Sequence, residues 1–163
     1  VIVSQIFRFV VVVGCVAAAG CELAQPFQGP GYSLSSGLTS TAPGPFVVAT
    51  TLLEVKDDAE ARAAFDGFMA PMTEALPTAP GLVGSSLATG PDGYRTLSVW
   101  ESEDAMLGWV VSSVHADAMG GMVQHVDGGA TASWTMTREE LLAGPPSWDD
   151  AKARLDGEGA SAY

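Results

Sequence analysis

Two histidines, His115 and His125, carry the side chains of this sequence that change charge near neutral pH. His115 lies in a stretch of helical period, where a neutral imidazole can take a proton from an acidic phenol or ligate a metal. The same position suits a helix-end histidine bonded to a backbone carbonyl, and the sequence leaves both readings open. His125 falls in a loop. Trp109 stands six residues before His115, with Met106, Met119 and Met122 at helical spacing around the pair. Aromatic and thioether surfaces suit a flat hydrophobic ligand. Helical spacing alone also produces such an inward stripe, as part of a core. Trp100, Trp134 and Tyr94 are strand residues with the same two readings.

Other chemistry is less well served. The acidic pairs Asp57–Asp58, Glu139–Glu140 and Asp149–Asp150 fall at helix starts or loop edges, and read as caps and solvated charge. No phosphate-binding glycine loop, HExxH, Gly-x-Ser-x-Gly or metal-spaced cluster occurs, so no metal site or cofactor is expected. A net charge of −12 on 163 residues repels phosphate backbones and argues against nucleic-acid binding.

The two cysteines belong to a different argument. Arg8 is the only charge ahead of the uncharged run FVVVVGCVAAAG, residues 9–20, the layout of an export signal. At twelve residues the run falls short of the roughly 20 that cross a bilayer as a helix. Ala18, Ala19 and Gly20 before Cys21 resemble the bacterial lipobox, in which the cysteine is acylated and the bond before it is cut. The expectation is a signal peptide over residues 1–20, a lipid on Cys21, and a place in the bacterial cell envelope on a membrane. Cys15 leaves with the signal, so no thiol remains for a disulfide, a zinc site or a nucleophile.

The elements that must position Trp109 and His115 begin beyond this segment. Residues 22–44 are rich in Pro, Gly, Ser and Thr, and read as a flexible tether. Order is expected from Phe46, where FVVATTLLEV suits a buried strand. Asp57 offers a helix cap, and Phe65, Phe68, Met69, Met72 and Leu76 follow on one helical face, with a kink or broken last turn at Pro71. LVGSSLAT (82–89) and YRTLSVWE (94–101) are joined by Gly-Pro-Asp-Gly, which predicts a hairpin. Ser102 caps a second helix with Met106, Trp109, Val110 and Ser113 inward, resuming through His115 to Met122. A last strand, TASWTMT (131–137), follows the pair Gly128–Gly129, and Ser147 caps a short C-terminal helix. The order β-α-β-β-α-β is the ferredoxin-like α+β arrangement, an antiparallel sheet with helices on one face. The domain spans residues 45–157, with a disordered tail over 158–163. Its other sheet face needs a cover, and a second copy is the simplest one, so a homodimer is expected.

From Phe46 to about Thr137 the chain resembles the antibiotic-biosynthesis-monooxygenase-like branch of the dimeric α+β barrel superfamily. The resemblance rests on TLSVWES (96–102), on Trp109 nine positions after Trp100, and on SSVHADAM (112–119). It implies a dimeric barrel and a pocket between sheet and helices. It also implies cofactor-independent oxidation of phenols or quinols; the sequence leaves two rivals open, a protein that binds a hydrophobic small molecule without turnover and a purely structural dimeric lipoprotein. Haem-degrading members of that superfamily use an asparagine on the first strand, a tryptophan on the second helix and a histidine ten residues later. Trp109 matches, but Thr51 and Met119 occupy the other two positions. The resemblance therefore points to His115 as base, with Trp109, Met119, Thr51 and Trp100 around the ligand.

Overall fold

The computed structural model describes residues 23–90, 93–157 and 161–162. The expected signal peptide, Cys21, and Pro91 and Asp92 of the hairpin turn lie outside the described residues. Three short strands come first: β1 (Leu23–Ala24), β2 (Tyr32–Ser33) and β3 (Gly37–Leu38). There follow β4 (Phe46–Val55), α1 (Ala59–Ala75), β5 (Leu82–Gly90), β6 (Gly93–Trp100), α2 (Glu103–Val110), α3 (Ser113–Met122) and β7 (Val126–Met136). The chain ends in α4 (Arg138–Ala143), α5 (Trp148–Leu155) and β8 (Ser161–Ala162). The sheet order is β1-β5-β6-β4-β7-β8 with antiparallel pairings throughout. Its four central strands, with α1 and the α2–α3 pair, make the expected ferredoxin-like α+β fold.

Strand alternation divides the core in two. Leu53 and Val55 of β4 face α1 and α3, where they pack with Phe65, Met69, Ala118 and Met122. Phe46 and Val48 point to the opposite face and pack with Val99, Leu97, Leu141 and Ala151. The apolar stripe of α1 is the one its spacing predicts, with Phe65 and Met69 buried. Its cap is Asp58 rather than Asp57: the Asp58 carboxylate accepts from the Ala61 amide at 2.7 Å, while Asp57 pairs with Arg62 at 3.2 Å. Pro71 does not break the helix, which continues to Ala75. The second helical stretch is divided at Val111, where Ser112 caps α3 by accepting from the His115 amide. β7 starts earlier than expected, at Val126, and takes Gly128 and Gly129 into the sheet beside a register shift at Glu54. A capping box between Thr137 and Glu140 starts α4, which the sequence reading did not anticipate.

Two expectations are corrected. Residues 23–44 are part of the fold rather than a free tether. Gln25 donates to the Leu87 carbonyl, Gln28 and Ser85 exchange backbone bonds, and Gly31 donates to Val83, so this arm runs along the edge of β5. Phe27 and Tyr32 are buried in the core, ring edge to face at 5.2 Å. The approach depends on glycine: a Cβ on Gly84 would sit 2.7 Å from the Phe27 ring. Ser40 donates to Glu101 at 2.6 Å, and Arg138 donates to the Ser40 and Ala42 carbonyls. The tail is corrected too, since Ser161 and Ala162 pair with Thr131 and Ala130 as β8. Together the arm, α4 and α5 cover the sheet face opposite α1. The bare face that motivated a second copy is therefore clad by the chain itself.

Candidate functional site

On the side of the sheet facing α1 and α2–α3, strand pairing aligns small and hydroxyl side chains. Thr51 lies between Thr96 and Thr131, and Ala49 between Ser98 and Ser133. Residues this short leave space beneath the helices, and two cavities occupy it. The larger, of about 490 Å³, runs between β5, β6, α1 and the N-terminal arm, with Met69, Met72, Leu76 and Leu87 in its wall. The smaller, of about 320 Å³, lies over β4 and β7 beneath α2 and is lined by Thr51, Trp100, Met106, Thr131 and Ser133. Both are bordered by Thr96, Ser98, Trp109 and His115, so these four residues form the waist of one groove.

Three aromatic rings hold the waist. Trp100 is buried at the end of β6, and its indole N–H donates to the Ser98 hydroxyl at 2.9 Å. Trp109 of α2 stacks over Trp100 with centroids 6.4 Å apart, and His115 meets Trp109 edge-on at 5.8 Å. The break at Val111 makes this possible by returning α3 so that His115 comes back to the end of α2. There the imidazole is hydrogen-bonded to the Val110 carbonyl, which leaves the second ring nitrogen of the neutral form as an acceptor. Burial pushes His115 below its ordinary value, with the Val110 bond opposing. His115 is therefore neutral at pH 7.

That shift has a consequence for stability. The folded pKa lies below the unfolded value of about 6.5, so the unfolded chain binds the proton first as pH falls. The contribution of His115 is present above that value and is lost as pH falls through the folded pKa. Urea midpoints between pH 7.5 and 5 are expected to fall more for wild type than for His115→Gln; parallel pH profiles would contradict the burial of this ring.

The structure brings together Trp109, His115, Thr51 and Trp100 of the expected site. It does not bring Met119, which packs with the α1–α3 core around Leu53 and Phe65 and lines neither cavity. An iron-ligating position there is thus turned away from the groove, and with Thr51 in place of asparagine the residues do not fit haem. His125 stacks on Phe68, away from the waist. Trp134 lies on the opposite sheet face beneath Arg154. Tyr94 bonds to Asp66, and its phenol is pushed up to about 12 by burial and by that partner, which ties β6 to α1. The sequence reading missed the hydroxyl floor and the arm residues Gln25 and Gln28 at the larger cavity. The floor had a signal, since Thr131, Ser133 and Thr135 alternate with Ala132, Trp134 and Met136.

No protein-family model and no curated protein matches the sequence. Solved structures do match in fold. A candidate monooxygenase from Fusobacterium nucleatum aligns with TM-score 0.54 at 13% identity, over 71% of this chain and 52% of that one. A candidate antibiotic biosynthesis monooxygenase from Caulobacter crescentus aligns with TM-score 0.50 at 16% identity, over 60% of this chain and 94% of its own. A candidate monooxygenase from Lactobacillus acidophilus aligns with TM-score 0.48 at 20% identity, over 58% of this chain and 48% of that one. The chain thus spans about half the length of the Fusobacterium and Lactobacillus proteins. At these identities the likeness is one of fold: the chain carries a ferredoxin-like α+β domain similar to those of monooxygenase-like proteins.

Proposed function

We propose that this protein binds a small uncharged aromatic molecule in the groove at Trp109 and His115, and oxidises it with dioxygen without a cofactor. One observation carries the reading: a neutral imidazole, held at one nitrogen by the Val110 carbonyl, stands at the waist of a cavity walled by tryptophan. Such a ring can accept the hydroxyl proton of a phenol, and Trp109 offers a flat face to it. A phenolate that carries a second ring oxygen, as a deprotonated quinol does, is electron-rich enough to reduce dioxygen. For a phenol with a free ring C–H the balance is one substrate and one O2 to one quinone and one water. One oxygen atom enters the ring and the other leaves in water. The test is oxygen uptake by the purified protein with phenols and quinols, with the quinone followed by absorbance. Uptake and quinone in a one-to-one ratio are expected, and binding without uptake would reduce the site to a binding site. That second reading draws on the pairing of His115, which meets a carbonyl and, among the described residues, no carboxylate.

The same proposal places the domain on a membrane of the bacterial envelope through a lipid on Cys21, supported by the AAGC boundary after the uncharged run. Intact mass of the mature protein should show acylation at Cys21 and loss of residues 1–20. An unmodified Cys21 or a retained leader would contradict the anchor. The homodimer that the resemblance implies belongs to this proposal too, with its contact outside the sheet area that α5 and the arm cover.

A further inference from the structure

The two lobes of the groove differ in chemistry. The larger has Met69 and Met72 of α1 and the adjoining Leu76 along one wall and Gln25, Gln28 and Ser85 along the arm and β5, whereas the smaller presents Thr51, Thr131 and Ser133 beside Trp100 and Met106. Among the described residues, no Asp, Glu, Lys or Arg lines either lobe, in a chain of net charge −12. A charged ligand would give up its hydration there and meet no counter-charge. A ligand polar at both ends would set one end against the wall of Met69, Met72 and Leu76. Unbranched, rotatable methionine side chains such as Met69 and Met72 instead adapt to a flexible aliphatic chain. Both lobes fall in the size range of small-molecule pockets, about 300–1,000 Å³.

We propose that the groove takes an uncharged amphiphile lying across both lobes, its oxygen-bearing ring over Thr51, Thr131 and Ser133 and its aliphatic chain along Met69, Met72 and Leu76. This rests on the proposed ring site beside Trp109 and His115, and adds the orientation and the chain. It places His115 at the junction of ring and chain rather than at the end of the ligand.

Calorimetric titration of the purified protein with three probes tests it: a hydroquinone, the same ring bearing an alkyl chain of about ten carbons, and that molecule ending in a carboxylate. The chain is expected to tighten binding by about thirtyfold or more over the ring alone. The terminal carboxylate should remove most of that gain. Met72→Gln with Leu76→Gln should abolish the gain and leave the affinity of the bare ring unchanged, circular dichroism confirming the fold. Thr131→Val with Ser133→Ala should weaken the bare ring and the alkylated ring alike. A bare ring that binds while the chain adds less than about threefold would overturn the amphiphile and leave the ring site standing. A gain that persists undiminished in the Met72 and Leu76 variant would overturn it as well. Failure of every probe to bind would remove the ring site and the amphiphile together.

Discussion

Replacing His115 with alanine is expected to lower turnover of a phenol or quinol by about a hundredfold or more, with the fold intact. The imidazole is the titratable group at the groove's waist, and its neutral form offers one free acceptor because the other nitrogen is committed to Val110. Phenols do not ionise appreciably at neutral pH, so removing the acceptor returns proton transfer to water. The loss should appear in kcat with KM little changed, since Trp109, Thr96 and Ser98 remain in place. Trp109→Ala should do the reverse and raise KM through lost aromatic area. A wild-type rate that falls only below about pH 6.5 fits a base whose pKa is lowered by burial, and His115→Ala should lack that inflection. Equal turnover in wild type and His115→Ala would remove the base from the mechanism.

Phe27→Ala is expected to cost about 3–5 kcal/mol of folding stability. Phe27 is 7% exposed, lies over Gly84, and meets Tyr32 edge-on. Its removal opens a cavity between the arm and β5 that the backbone pairing of Gln25 and Gln28 prevents from closing fully. The arm also walls the larger lobe, so weaker ligand binding should accompany the loss. Urea denaturation of the two proteins measures the difference. A change near zero would mean that residues 23–44 behave as the tether their composition suggests.

That segment shows where sequence reading reaches its limit. Periodicity identified the strands and helices that bury one face, because Phe65 and Met69, or Val48 and Thr50, repeat at the spacing of their own element. The arm repeats nothing: its order comes from bonds to Leu87, Ser85 and Val83, more than fifty residues away. Its Pro and Gly content, read as flexibility, serves a close approach to β5. Trp109 and His115 were legible from their position after VWES, Trp100 from its place within that phrase, and Thr51 from the first-strand position that the resemblance singles out. Met119 was misplaced for a local reason. Four residues turn a helix by about 40° more than a full circle, enough to carry Met119 from the groove toward α1. The groove itself depends on small side chains aligned across strands, which becomes visible only once register sets Thr51 beside Thr96 and Thr131.

The central claim, that a neutral aromatic ligand lies against Trp109 and His115, meets its most direct test in the imidazole NMR spectrum. The chain has only two histidines, and His125 stacks on Phe68 rather than lining the groove. Titration with a quinol under anaerobic conditions is expected to shift the ring signals of His115 saturably and leave those of His125 in place. Saturable binding that moves neither ring, or moves His125 alone, would contradict the site.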